Sequence, residues 1–164
     1  VFELFFTSGS VPDKSMPFDI KSKLIDMAID ELREVEDFSD YRRAVTDILR
    51  CFISNPDIAR ITSSARLIPE LRFDLVRRTG EEPEYITGII DLLAYTEDGV
   101  YLMDYKTNAP HTADEDEFVG HMIKTYKPQI DLYQEFLANS LGKKVLGSYL
   151  YLTAIDRVVD VSLL

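Results

Sequence analysis

The chain has 164 residues, 46% of them apolar, and a formal net charge of −11. That length and apolar fraction suit one globular domain burying about two-thirds of its unfolded surface, and they exclude a disordered segment. The acidity argues against a domain that grips a polyanion tightly by itself, because phosphate contacts need Lys and Arg.

No apolar run approaches the ~20 residues of a membrane helix, and no signal peptide is visible. Cys51 is the only cysteine. It excludes a disulfide, a Cys-type zinc site and a four-cysteine iron–sulfur cluster, and reads as a buried thiol in the reducing cytoplasm. The chain begins with Val rather than Met and its first strand lies deep in the sequence, so it reads as part of a longer polypeptide.

Val1 to Pro17 reads as an irregular lead-in. Asp19 or Ser22 caps a helix running to about Val35, with Leu24, Met27, Ala28 and Leu32 on one face. Ser39 caps a second helix, Asp40 to Ile53, with Ala44, Ile48 and Cys51 turned inward; Asn55-Pro56 ends it. Strands follow at Ala65 to Arg77, Tyr85 to Tyr95 and Val100 to Lys106, joined by Thr79-Gly80 and Asp98-Gly99 turns. Thr107 to Glu117 reads as a polar loop carrying an exposed His111. A short helix over Phe118 to Thr125 places His121 on its surface. Pro128 opens the next helix, which stops at Gly142 after Leu141. Val145 to Leu152 is a fourth strand and Val158 to Val161 a fifth. The order predicts an α/β domain: a mixed sheet flanked by helices, with residues 1–60 a helical layer and 61–164 the core.

Charges are the exception in the second and third strands, at Asp91, Asp104 and Lys106. A buried charge costs several kcal/mol unless it is paired or bound to a metal. If Asp98-Gly99 is a two-residue turn, Glu97 faces Val100 and Asp91 lies opposite Lys106, with Asp104 its diagonal neighbour at roughly 7–8 Å. All three side chains then share one face, a parity that a four-residue loop would keep and a three-residue loop or a bulge would break. Adjacent carboxylates repel unless a cation sits between them, and hard oxygen donors suit Mg²⁺ or Mn²⁺. A lysine beside such an ion can assist an attacking water, which makes a metal-assisted phosphodiester hydrolase. The plainer alternative is a structural Asp–Lys ion pair with a second Asp at a strand end.

Three ordered motifs carry a resemblance: Gly88-x-x-Asp91, Asp104-x-Lys106-Thr107 and Tyr126-x-x-Gln129-x-x-x-Tyr133. Over roughly residues 60 to 153 the chain resembles the PD-(D/E)xK nucleases of the RecB/AddA type, the C-terminal nuclease domains of UvrD/Rep-like helicase–nucleases. The resemblance implies a restriction-endonuclease-like core and a Mg²⁺- or Mn²⁺-dependent deoxyribonuclease, an exonuclease acting in double-strand-break processing and recombinational repair. It assigns Asp91, Asp104 and the Tyr105 carbonyl to the metal, with Glu70 completing the shell, and gives Lys106 the catalytic lysine's part. Gln129 would reach a phosphate or a metal-held water, and Tyr126 would contact DNA beside Lys124 and Lys127. Tyr133, one turn from Gln129, is counted among the DNA-binding residues, where it would pack or hydrogen-bond more than react.

The implied partners are DNA, helicase domains of the same chain, where ATP would be used, and an AddB/RecC-like second subunit; no membrane is implied. Basic residues gather at Arg60, Arg66, Arg72, Arg77 and Arg78 and at Lys124, Lys127, Lys143 and Lys144, while Asp26 to Asp40 and Asp114 to Glu117 are acidic. A tethered nuclease can leave most DNA affinity to its motor. There are departures: position 90 is Ile rather than Pro, and the family's upstream metal-binding His either precedes Val1 or is absent, since His111 and His121 both follow the Asp-x-Lys motif. They keep open a second reading, a catalytically weak nuclease-fold module that binds DNA or a partner.

Overall fold

A computed structural model describes residues 38–63, 65–78 and 82–162, with side chains from Arg43 onward. The helix expected before Val35 and the Thr79-Gly80 turn lie outside those residues. The described elements are α1 (Phe38–Ser54), α2 (Pro56–Thr62), β1 (Arg66–Arg77), β2 (Glu84–Tyr95), β3 (Val100–Lys106), α3 (Glu115–Ser140), β4 (Val145–Leu152), a 3₁₀ turn (Thr153–Ile155) and β5 (Arg157–Asp160). The sheet order is β1-β2-β3-β4-β5. Only β3 and β4 pair in parallel; the other three pairings are antiparallel.

Each face of the sheet carries its own core. Phe73, Leu75, Ile90, Leu93, Leu102 and Leu150 pack against Phe118, Met122, Ile130, Phe136 and Leu137 of α3. Leu92, Ala94, Met103, Tyr149 and Tyr151 pack against Leu49, Phe52 and Ile53 of α1 and Ile58 and Ile61 of α2. β4 is therefore covered on both sides and is buried from Gly147 to Leu152, as a central parallel strand should be. Gly88 has a packing reason as well: it pairs with Phe73, and a Cβ there would fall 2.6 Å from the Phe73 ring. That ring stacks on Phe136 at 4.5 Å and meets Tyr133 edge-on at 5.6 Å, which fastens the β1–β2 hairpin to α3.

Three expectations need correction. α3 is one continuous helix through Pro128, where two helices were predicted. Proline costs a helix interior about 3 kcal/mol, yet Met122 and Ile130 lie fully buried on either side of it in one core, and that burial outweighs the loss. The acidic run belongs to this helix rather than to a loop. Asp114 caps it by accepting from the Asp116 and Glu117 amides, and Glu115, Asp116 and Glu117 sit at the positive end of its dipole. On α1 the inward face is Val45, Leu49, Phe52 and Ile53, whereas Ala44 and Cys51 are exposed.

Asn55 was expected to end one helix, and it also starts another. Its Oδ1 accepts from the Asp57 and Ile58 amides while its Nδ2 donates to the Asp156 carbonyl and carboxylate. One buried amide thus clasps the helical layer to the β4–β5 turn through donor and acceptor alike.

Candidate active site

The β2–β3 ladder runs from Tyr95↔Val100 to Leu92↔Met103. The connecting loop is four residues long, Thr96 to Gly99, closed by the Thr96 amide and hydroxyl donating to the Gly99 carbonyl. Gly99 is needed there, since a Cβ would stand 2.3 Å from the Lys144 carbonyl. The predicted Asp91–Lys106 pairing is thereby corrected. One step beyond the ladder Asp91 lies across from Asp104, and the charges of Asp91 and Lys106 both reach the Asp104 carboxyl, so the three share one face.

Asp91 also marks a slip in the strand. Ile90 and Leu93 both belong to the core under α3, so side-chain alternation is broken between them; Ile68 and Leu71 on β1 show the same break. Glu70 lies in that break with φ 46°, flanked by the pairs Pro69↔Leu92 and Leu71↔Ile90, and so stands across from Asp91. Such irregularities re-aim side chains beside sites. Here it sets the backbones of Glu70, Asp91 and Asp104 side by side across three strands. Glu70 is exposed, and among the described residues no group of three or more His, Cys, Asp or Glu is set to hold an ion.

Asp91 Oδ2 accepts from the Tyr105 amide at 2.8 Å. Burial raises its pKa, against the opposing pull of that amide and of Lys106. Asp104 is 1% exposed. Burial first, then the Asp91 charge, push its carboxyl up to about 6, with Lys106 opposing both. Lys106 Nζ forms an ion pair with Asp104 Oδ2, donates to Gln129 Oε1 at 3.0 Å and lies 4.0 Å from the centre of the Tyr126 ring. Gln129 Nε2 in turn approaches the Tyr133 hydroxyl at 2.5 Å. Burial and the Asp104 charge lift that phenol to about 12, so it stays protonated.

A family model for the PD-(D/E)XK nuclease superfamily matches residues 2–160. The chain belongs to that superfamily. Several bacterial proteins named as ATP-dependent helicase/nuclease subunits are similar to it. The one from Carboxydothermus hydrogenoformans is 34% identical over 140 residues, 80% of this chain and 11% of that protein. The one from Bacillus licheniformis is 30% identical over 137 residues, 75% of this chain and 11% of the relative. The one from Clostridium perfringens strain ATCC 13124 is 39% identical over 83 residues, 51% of this chain and 6% of the relative. The chain thus spans about a tenth or less of these relatives. The solved structure of SSO0001 superposes with a TM-score of 0.41 at 12% identity, covering 87% of this chain and 76% of that one, a likeness too loose to inform the site.

For this superfamily member the structure brings together Asp91, Asp104, Lys106, Gln129, Tyr126 and Tyr133. Tyr105 backs them, its ring edge-on to Phe52 and Tyr151 on the far face of the sheet. Tyr133 is buried and shares a hydrogen bond with Gln129, so its ring is not presented to DNA in this arrangement. Lys124 is exposed, and Lys127 is turned toward Asp131 on its own helix. Two contacts went unread in the sequence. Asn108 accepts from the Tyr126 hydroxyl at 3.1 Å, and the Thr153 hydroxyl donates to the Lys106 carbonyl at 3.2 Å. Asn108 follows Lys106 closely enough to be suspected from the sequence; Thr153 reaches the site only through the β3–β4 pairing. Among the described residues no helix is long and apolar enough to cross a membrane.

Proposed function

We propose that this domain is a Mg²⁺- or Mn²⁺-dependent deoxyribonuclease, the exonuclease module of a RecB/AddA-like helicase–nuclease that trims DNA ends during double-strand-break repair. The observation that carries the reading is Asp91 beside Asp104, with Lys106 paired to one acid and oriented by Gln129. The donor set fits a hard divalent ion, because two neighbouring carboxylates repel each other and favour a cation that keeps several waters. Asp91, Asp104 and the Tyr105 carbonyl would hold it, and Glu70, exposed on the neighbouring strand, would have to turn inward to add an oxygen. When bound, the ion supplies Lewis acidity, which activates water and offsets charge on a phosphoryl oxygen.

The chain's own side chains do the rest. Lys106 donates hydrogen bonds where negative charge grows on the phosphate, and it steadies the attacking water. Gln129 fixes the lysine's rotamer, Tyr133 fixes Gln129, and Tyr126 covers the ammonium from the side while presenting a ring to DNA. Lys124 and Lys127 on the same helix would contact the phosphate backbone. With a charge of −11, this domain would rely on helicase domains of the same polypeptide for most DNA affinity, and an AddB/RecC-like partner would complete the assembly in the cytoplasm. The similarity to helicase/nuclease subunits supports these partners.

The test is Mg²⁺-dependent cleavage of single-stranded and linear duplex DNA by the full-length protein and its Asp104→Ala and Lys106→Ala variants. Both should lose cleavage while staying folded; undiminished cleavage by Asp104→Ala would sink the proposal. One observation favours a second reading, a weak or inactive nuclease-fold module: no third metal-ligating side chain gathers with Asp91 and Asp104 among the described residues. Metal and DNA binding without cleavage by the unaltered protein would select it.

A further inference from the structure

We propose that His111 and His121 form a second metal site, separate from the carboxylates, for an imidazole-seeking divalent ion such as Zn²⁺ or Ni²⁺. They are the only two histidines in the chain. One lies in the loop after β3 and the other on α3, yet their rings meet with centroids 4.8 Å apart and planes at 71°. Both residues are exposed, so ions reach them. With Zn–N bonds of about 2 Å, two imidazoles on one tetrahedral ion have ring centres about 5 Å apart. The centroid spacing is close to that value, and one nitrogen of each ring meets a shared ion once the rings turn out of their edge-to-face contact.

His111 is also braced, its ring edge-on to buried Phe118 at 6.1 Å. That contact holds the loop histidine near its helical partner before any ion arrives. The two metal sites differ in chemistry: Asp91 and Asp104 offer hard oxygens, whereas the histidines offer nitrogen, which Zn²⁺ and Ni²⁺ prefer and Mg²⁺ does not. No third His, Cys, Asp or Glu is set around the pair among the described residues, so water fills the remaining positions. The affinity is that of a two-ligand surface site rather than a structural zinc centre.

Its consequence is local. The loop joins Lys106 to α3, and Asn108 within it holds Tyr126 over the lysine. An ion bridging His111 to His121 ties the outer half of that loop to the helix bearing Tyr126 and Gln129. Occupancy would thus set how freely the wall beside the acids moves.

The test is calorimetric titration of Zn²⁺ into the Cys51→Ser protein, which removes the exposed thiol as a competing ligand, and into the same protein carrying His111→Asn or His121→Asn. Each histidine variant should bind the ion at this site at least about tenfold more weakly, with folding verified by circular dichroism. In the parent, Zn²⁺ should slow amide exchange across residues 108–113, and each variant should lose that protection. Zn²⁺ affinity within tenfold of the parent in either variant overturns the site, and so does unchanged amide exchange. Neither result depends on nuclease activity, so failure here leaves the proposed function standing.

Discussion

Asp104→Asn should make the metal-free protein more stable while destroying its chemistry. The carboxyl titrates at about 6 in place of 3.8 because it is buried and faces Asp91. A shift of that size corresponds to about 3 kcal/mol of preference for the neutral form. The folded state holds this proton more tightly than the unfolded chain does. The associated stability is therefore fully present below about 3.8 and is lost as pH rises through about 6. Asn resembles the protonated acid in shape and never ionises. In EDTA at pH 7.5 the variant should exceed the parent by about 2–3 kcal/mol, a net figure that already contains the opposing pull of Lys106. Near pH 4 the two should nearly converge. Urea unfolding followed by circular dichroism at both pH values measures the difference, and millimolar Mg²⁺ should raise the parent's midpoint while leaving the variant's almost unmoved. A variant no more stable than the parent at pH 7.5 in EDTA would refute the idea that these acids are held at a cost awaiting a cation.

Gln129→Ala removes the acceptor that orients Lys106 and the donor to Tyr133; cleavage should fall about a hundredfold with little change in the urea midpoint, and an equal loss of stability would recast Gln129 as structural. Asn55→Ala deletes the α2 cap and leaves the Asp156 carboxylate with only the Tyr151 hydroxyl as partner among the described residues, so it should cost about 2 kcal/mol in urea unfolding. Gly99→Ala drives a methyl toward the Lys144 carbonyl and should destabilise by about 1–3 kcal/mol, whereas Gly120→Ala, with open space around its Cα, should be neutral or stabilising by up to about 1 kcal/mol; thermal unfolding of the two variants side by side checks both.

What can be read from the sequence depends on which physical term dominates locally. β3 is bounded correctly because an apolar run between a Gly turn and a polar loop has one good solution. β4 is equally clear, being short and apolar but for Ser148. The faces of α1 are not: Ala44 and Cys51 fit the helical period, but only the bulk of Leu49, Phe52 and Ile53 fills the space above Met103 and Tyr151, and bulk matching is a tertiary fact. Pro128 misleads for a related reason, since its local cost of about 3 kcal/mol is visible in the sequence while the burial of the residues on either side of it is not.

The site's location is insensitive to the register, and its electrostatics are not. Moving the turn from two residues to four changes Asp91's partner from Lys106 to Asp104, yet an even change leaves every side chain on its face. Convergence of three charges on one side of the hairpin therefore follows from parity between Asp91 and Lys106, because the break in alternation next to Ile90 falls outside that stretch. Pairing decides the electrostatics instead. With Asp91 opposite Lys106 the site would be a salt bridge with a spare acid; with Asp91 opposite Asp104 it is two acids sharing one lysine, which is what helps lift the Asp104 carboxyl. The corrected register thus weakens the structural ion-pair alternative, because a pair built for stability would set the lysine between the acids rather than leave them facing each other.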